Sequence, residues 1–444
     1  MTAPATRVSS PLRAELPQLL KLAGPVILAE LGWMAMGVVD TIMVGRLGAE
    51  AIGAVAVGNI VFNCIGILLV GFLLGMDTLI SQAFGAGDID DCRHSLRQGL
   101  WLGWMVAPVL IALMLLAVPL MSYWGLDPGV LRRAQPFTSI LIWSLVPLVF
   151  YFAFRRYLQS TNVVRPVAFA LVTANLVNWI GNLILIPRLG VDGSAMATIF
   201  ARCYMAAVLA FFIPRAAWRW EGPDWKRIRD LFRLGLPAAG HIFLEIGVFG
   251  AATALAGRFP AYALAAHEVA LNNASVTFMI PLGVSSAAAV RVGQAIGRGD
   301  SHGARTAGWT AIAVGAIFMA CAGLAMLAFP RAILGIYTTD SQVIEFGVPL
   351  LYAAAAFQLF DGIQVVSIGA LRGVGDTTMP FIANTVGYWI LGLPVGAWLC
   401  FGSGWGVLGL WVGLSLGLMT VALVLLRAWA LKWKGPRRSV APMD

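Results

Sequence analysis

Apolar stretches long enough to cross a bilayer recur from one end of this 444-residue chain to the other. In hydrocarbon such a stretch must be helical, because nothing there satisfies a bare backbone N–H or C=O. Twelve spans are predicted, at about 19–46, 51–80, 95–120, 133–158, 165–187, 191–214, 228–257, 261–292, 303–329, 342–371, 378–401 and 406–432. Several exceed the ~20 residues that a crossing requires, so tilt or helix ends beyond the hydrocarbon are expected. Hydrophobic types make up 59% of the chain and charged types 11%. A soluble domain carries roughly 25% charged residues, and one core would not hide this much apolar side chain. The fold class expected is all-α integral membrane.

The net charge of +9 does not point to nucleic acid. With both termini placed in the cytoplasm, Arg46, Arg132, Arg133, Arg188, Arg258 and Arg331 fall on the outer side and Arg202 falls within a span. The remaining Lys and Arg residues sit on the inner side, including the run from Arg215 to Arg233. This is the positive-inside pattern, so the basic balance reports topology. The segment before Leu19 has no short apolar core and reads as a cytoplasmic tail, not a signal peptide. The cysteines (Cys64, Cys92, Cys203, Cys321, Cys400) are isolated and show no disulfide or zinc spacing.

An internal repeat organises the spans. At an offset of 212, Leu22 meets Leu234, Pro25 meets Pro237 and Gly45-Arg46 meets Gly257-Arg258. Gln82-Ala83 then meets Gln294-Ala295, Gly85 meets Gly297, and Gly87-Asp88 meets Gly299-Asp300. At 213, Asp127 falls on Asp340 and Pro136 on Pro349. Each half therefore holds an even number of helices, six, and both enter the membrane with the same orientation. The predicted organisation is a tail (1–18), an N-lobe (19–214), a cytoplasmic linker (215–230), a C-lobe (231–432) and a second tail (433–444). Two similar bundles facing a cleft are the plan of an alternating-access transporter. Pro25 and Pro237 remove matched backbone hydrogen bonds in the first helix of each half, which allows bending during gating.

Ionisable residues at membrane depth are costly and therefore informative. Asp40, Asn182 and Thr198 each lie six residues from a charge at an outer flank, Arg46, Arg188 and Asp192 respectively. They share a depth of about 9 Å, and Asn178 is one turn deeper on the face of Asn182. A carboxylate, two amides and a hydroxyl form a hard oxygen set suited to Na⁺ or a proton. In the second half, Glu245 and Asp361 reach nearly one depth from the inner flanks Arg233 and Arg372. Two carboxylates at one level in low dielectric are expected to share a proton or a cation. Gln358, at i−3 from Asp361, is expected to lend an oxygen. Glu30 is expected to meet a polar cleft, Asp77 to snorkel to the interface, Arg202 to pair with an acid or carbonyl, and His241 to hydrogen-bond or share a proton with Glu245. The acids do not repeat between halves: Glu245 pairs with Trp33, Asp361 with Leu148 and Asp40 with Ala252.

These residues carry a resemblance. The run Val39-Asp40-Thr41-Ile42-Met43-Val44-Gly45-Arg46-Leu47-Gly48 resembles the first-helix signature of the multidrug and toxic compound extrusion (MATE) family. Ala265-Ala266-His267-Glu268-Val269-Ala270-Leu271-Asn272 and Arg291-Val292-Gly293-Gln294 are similar to that family as well. Asp361-Gly362-Ile363-Gln364-Val365-Val366, leading to Gly369-Ala370-Leu371-Arg372-Gly373, looks like the tenth helix of its NorM-like branch. The resemblance implies the MATE fold, twelve transmembrane helices in two pseudo-symmetric six-helix bundles. It implies export of organic cations, drugs and toxins in exchange for Na⁺ or H⁺, by a monomer in a bacterial inner membrane with no cofactor. It places cation coupling at Asp40, Asn178, Asn182 and Thr198 in the N-lobe and at Glu245 and Asp361 in the C-lobe, where Gln358 and Asn272 are counted with them as candidate site residues. Phe357 offers no hydroxyl to a Na⁺ ion, which keeps both ions in play.

Two other readings compete. A lipid-linked oligosaccharide flippase on a related plan needs a basic cavity, whereas acids lie centrally here. An intramembrane enzyme needs a nucleophile or metal arrangement, and His94, His241, His267 and His302 have no such spacing.

Overall fold

A computed structural model describes residues 11–219 and 221–433. Most of both predicted tails lies outside these residues, as does Trp220 in the linker. The first half consists of α1 (Pro11–Gly45), α2 (Ala49–Leu73), α3 (Gly75–Ala86), α4 (Ile89–Leu120), α5 (Pro128–Ile142), α6 (Leu145–Ser160), α7 (Arg165–Leu189) and α8 (Val191–Phe212). The second half begins with α9 (Trp225–Ala256), α10 (Ala261–Gly297), α11 (Ser301–Ala328), α12 (Pro330–Tyr337) and α13 (Ser341–Gly373). It ends with the spans Thr378–Gly402 and Val407–Leu431. There are 11 spans of membrane length, or up to 12 with α5 and α6 joined, and the described residues contain no strand.

Three boundaries differ from expectation. The first helix begins at Pro11, inside the predicted tail, and α9 begins at Trp225, inside the predicted linker. The single span expected over 133–158 is bent by 46° between α5 and α6. At the bend Trp143 and Ser144 donate to Ile140 and Leu141, three residues back, which tightens the turn. The span Thr378–Gly402 contains π-turns at Thr385–Gly392 and Trp398–Gly402. They lie where Gly387, Gly392 and Gly396 meet Gly413, Gly417 and Leu410 backbone-to-backbone, the close approach that small residues permit between membrane helices.

The ends of the molecule are unlike. The termini and the α8–α9 connection share one end, here the terminal end; the other is the far end. Among the described residues, the hydrogen bonds and ion pairs that cross between the halves all lie toward the terminal end. A Cβ placed on Gly75 would lie 2.7 Å from the Leu231 carbonyl oxygen, so helices of opposite lobes touch main chain to main chain there. Among the described residues no such bonds tie the far halves together.

The repeated QA-x-G-x-GD motif builds this closure. Gln82 donates to the Gly373 carbonyl at 3.0 Å, and its partner Gln294 donates to the Ser160 carbonyl at 2.9 Å. Gly85 and Gly297 each press on the main chain of the opposite glutamine. Gly87 (φ 81°) and Gly299 (φ 72°) end their helices in the left-handed region, where a Cβ is strained. Asp88 and Asp300 then cap the next helices, accepting from Asp91 N at 2.8 Å and Gly303 N at 2.7 Å.

The first helix of each half straddles both lobes. Leu19, Leu22, Ala23 and Val26 of α1 pack into the core of the second half, whereas Ala29, Met36 and Met43 pack into their own. In α9, Ile228, Leu231 and Leu234 enter the first half's core, and Val248 and Ala252 enter their own. Pro25 and Pro237 stand at these crossings, and both helices continue unbroken through them.

The closure predicts a structural phenotype. Gly235 abuts the Phe72 main chain, so Gly235→Leu should cost the closed arrangement about 1–3 kcal/mol. With the native cysteines replaced, Ser81→Cys at this seam should then react faster with a membrane-impermeant thiol reagent applied to the terminal side. Unchanged labelling would contradict the packing.

Candidate functional site

Three polar clusters occupy the membrane-spanning region. In the first, α1, α7 and α8 bring together the residues that depth alone placed at one level. Asn182 Nδ2 donates to Asp40 Oδ1 at 2.7 Å and to Asn178 Oδ1 at 3.2 Å. The Thr198 hydroxyl lies 3.1 Å from Asp40 Oδ2 and 3.0 Å from the Ser194 carbonyl oxygen, with one proton to serve both. All four side chains are buried. Asn182 Oδ1 and Ser194 Oγ are buried without a partner, leaving oxygen donors free beside the carboxylate. Hard cations are held by such oxygens.

Arg202 follows Thr198 by one turn. It takes a hydroxyl rather than the expected acid or carbonyl: its guanidinium donates to Ser144 Oγ at the α5–α6 bend. Its charge lies over the ring of Phe62 at 4.5 Å and near that of Trp33 at 5.7 Å. The bend thus presents a hydroxyl to a cation inside the bundle, which a straight helix over 133–158 does not foresee.

The second cluster lies among α9, α13 and the π-turn. Tyr388 Oη donates to Gln364 Oε1 at 3.0 Å, and Gln364 Nε2 donates to Glu245 Oε1 at 2.9 Å. His241 Nδ1 donates to the Ala238 carbonyl at 3.1 Å, which leaves Nε2 3.5 Å from Glu245 Oε2. Asp361 is buried one turn before Gln364, within electrostatic reach of Glu245. Gln364 and Tyr388, not chosen among the site residues, connect this cluster. Gln364 was visible only as part of a motif, and Tyr388 depends on the π register.

Two residues assigned to this site lie elsewhere. Gln358 turns to α10 and α11, donating to Thr277 Oγ1 at 2.6 Å and Met326 Sδ at 3.6 Å. Both bonds are made by Nε2, and Gln358 Oε1 is buried without a partner. Asn272 sits on an exposed face of α10 turned to α12, where it accepts from Tyr337 Oη at 3.3 Å. Phe357 is packed against Phe249 and Trp411, with ring centroids 6.0 and 6.1 Å away.

The third cluster sits at the closure. Asp77 does not snorkel: it is 1% exposed, with Oδ2 3.4 Å from both Arg156 of its own half and Arg372 of the other. Thr78 Oγ1 donates to the Arg372 carbonyl at 2.6 Å. Neighbouring Glu30, expected in a polar cleft, is paired with Arg155 instead. Outside the bilayer, His94 anchors the linker, its ring nitrogens 3.0 Å from Glu221 and 3.0 Å from Asp224.

Comparison with known proteins follows the same lines. The MatE family model matches twice, over residues 25–184 and 237–398, so both matches start at the paired prolines. A probable multidrug resistance protein NorM from Mesorhizobium japonicum is 36% identical over 441 residues, covering 94% of each chain. Its namesake from Rhodopseudomonas palustris is 37% identical over 452 residues, covering 96% of this chain and 95% of its own. The crystal structure of the eukaryotic MATE transporter AtDTX14 superposes with a TM-score of 0.88 at 22% identity, over 97% of this chain and 98% of that one. An outward-facing multidrug resistance MATE family transporter does so at 0.84 and 19% identity, with the same coverage.

Two outcomes follow from the closure and the linker. Asp77→Asn should weaken the contact to Arg372, raising thiol reactivity of Ser81→Cys from the terminal side, and Arg372→Gln should add little to it because both remove one contact. Additive effects would separate the two residues. The hydrogen bond to His94, and then Arg97, holds the Glu221 carboxyl below its ordinary 4.5. That anchoring is complete above this pH and is lost as pH falls through the lower value. Amide exchange, corrected for its intrinsic pH dependence, should therefore accelerate over residues 221–224 only below about pH 4.5.

Proposed function

The chain belongs to the MatE family, and on that premise we propose that it is a secondary antiporter exporting organic cations and amphipathic drugs in exchange for Na⁺ or H⁺. The observation that carries this reading is the set of intramembrane carboxylates without a bound Arg or Lys. Asp40 has amides and a hydroxyl, and Glu245 has an amide and a histidine. A carboxylate in that situation attracts a cation from outside the protein.

The N-lobe geometry suits either ion. A proton on Asp40 Oδ2 donates to the Thr198 oxygen while Thr198 turns its own proton to the Ser194 carbonyl. A Na⁺ ion takes Asp40 with the free amide oxygen of Asn182. In the C-lobe, one cation between Glu245 and Asp361 relieves the repulsion of two like charges. Neutralising either site removes the charge that holds a cationic substrate, which lets the substrate go and permits the lobes to rock. Pro25 and Pro237, where each first helix changes lobes, serve as the bending points.

The placement of basic residues supports a cytoplasmic terminal end. The bonds that cross between the lobes at that end support a form closed to the cytoplasm, the state that takes up the coupling cation and discharges substrate. The names of the NorM relatives and the intramembrane carboxylates without an arginine or lysine support organic cations as the substrate class, and a monomer is the proposed working unit.

The test is uptake of a fluorescent organic cation by everted vesicles under an imposed Na⁺ gradient or an imposed pH gradient. One gradient should drive uptake. Asp40→Asn and Asp361→Asn should each reduce it at least about tenfold, the effect of losing ~1.4 kcal/mol of cation binding. Undiminished uptake by both variants would overturn the assignment.

A further inference from the structure

A cavity of about 470 Å³ lies on the bilayer side of the seam where α9 crosses onto the first half. Phe72 of α2 and Leu102, Val106 and Leu110 of α4 form one wall. Ile228 and Phe232 of α9 form the other. The wall on α4 runs about 12 Å from Leu102 to Leu110. Phe72 and Phe232 stack across it with centroids 5.4 Å apart. The cavity therefore lies between the lobes, not within one of them.

Its charge is confined to the mouth. Arg229 is the charged residue lining it, and Lys226 and Arg233 flank Arg229 on the same face of α9. All three are exposed, and none has a side-chain hydrogen bond or ion pair among the described residues. Trp225, 67% exposed, stands beside them at the start of the helix, the level at which tryptophan meets lipid headgroups. An apolar slot with unpaired cations at its membrane-surface end matches one chemistry: an anionic glycerophospholipid, acyl chain inward and phosphate at Arg229.

The repeat supplies a control within the molecule. At the equivalent seam, Pro17 of α1 occupies the place of Arg229. There Glu15 binds Arg291 of α10 through two 2.8 Å hydrogen bonds, so protein groups neutralise one another across the lobes. At the α9 seam Arg227, which the repeat sets opposite Glu15, likewise pairs across the lobes with Asp91, but Lys226, Arg229 and Arg233 stand beside that pair with no acid answering them among the described residues.

We propose that an anionic phospholipid of the leaflet at the terminal end occupies the α2–α4–α9 groove and bridges the two lobes while that end is closed.

The experiment is native mass spectrometry of the purified full chain, titrated with dioleoyl phosphatidylglycerol or with dioleoyl phosphatidylcholine. The wild type should retain phosphatidylglycerol more tightly than phosphatidylcholine. Arg229→Ala should reduce that preference about fivefold, the effect of one cation near a lipid surface. Arg229→Lys should restore it. Val106→Trp, which fills the slot, should lower retention of both lipids. Equal retention of the two lipids by the wild type, or unchanged preference in Arg229→Ala, would overturn the proposal. So would displacement of phosphatidylglycerol by ethidium, which would make the groove a route for organic cations.

Discussion

A charge inside a membrane protein persists only where another group answers it, and the buried ions of this chain divide according to what answers them. Near the terminal end they answer one another: Glu30 meets Arg155, and Asp77 meets Arg156 and Arg372. Arg202 rests on aromatic faces and a hydroxyl. Asp40 is held by amides and a hydroxyl, Glu245 by an amide with His241 beside it, and Asp361 lies beside Glu245 with its like charge. Ion pairs within the protein close a structure. Carboxylates left without an arginine or lysine ask for a cation from solution. The division between closing and binding thus follows the division between paired and unpaired charge.

The duplicated frame and the unduplicated chemistry serve different ends. Everything that must be reciprocal is repeated: the glutamines that reach across, the glycines that let main chains touch, the capping aspartates, and the prolines at the lobe crossings. Two halves related by a pseudo-two-fold axis meet in a self-complementary surface, so the closing residues come in pairs. The acids need not, because each lobe has its own interior. Asp77, the asymmetric member of the closure, binds an arginine from each lobe, and the repeat places Ala289 opposite it.

Much of the architecture was legible because apolar length and repeated punctuation are sequence properties. Spans, the offset of 212 and the shared depth of Asp40, Asn182 and Thr198 follow from counting residues. Counting fixes depth along a helix but not which face it turns to which neighbour. Gln358 has the expected depth, but its amide nitrogen is taken by Thr277 and Met326. Asp77 has an interfacial position yet is sealed there by Arg372, which lies far away in the chain. Proline marks both irregularities, Pro147 one turn after the bend at Trp143–Ser144 and Pro394 just beyond the π-turn at Tyr388, but counting does not say which way either turns a side chain, because that depends on packing against other helices. These irregularities deliver Ser144 to Arg202 and Tyr388 to Gln364, so what the pattern misses is concentrated at the polar sites.

The central claim is that substrate and coupling cation compete for the same unpaired carboxylates. The most direct measurement adds an organic cation to the purified protein in weakly buffered solution, and follows proton release with a pH dye or Na⁺ release with a radiolabel. The account predicts that binding of the organic cation expels one of these ions, and that the release saturates with substrate binding. Saturable substrate binding with neither proton nor Na⁺ released, across the pH range of transport, would contradict it.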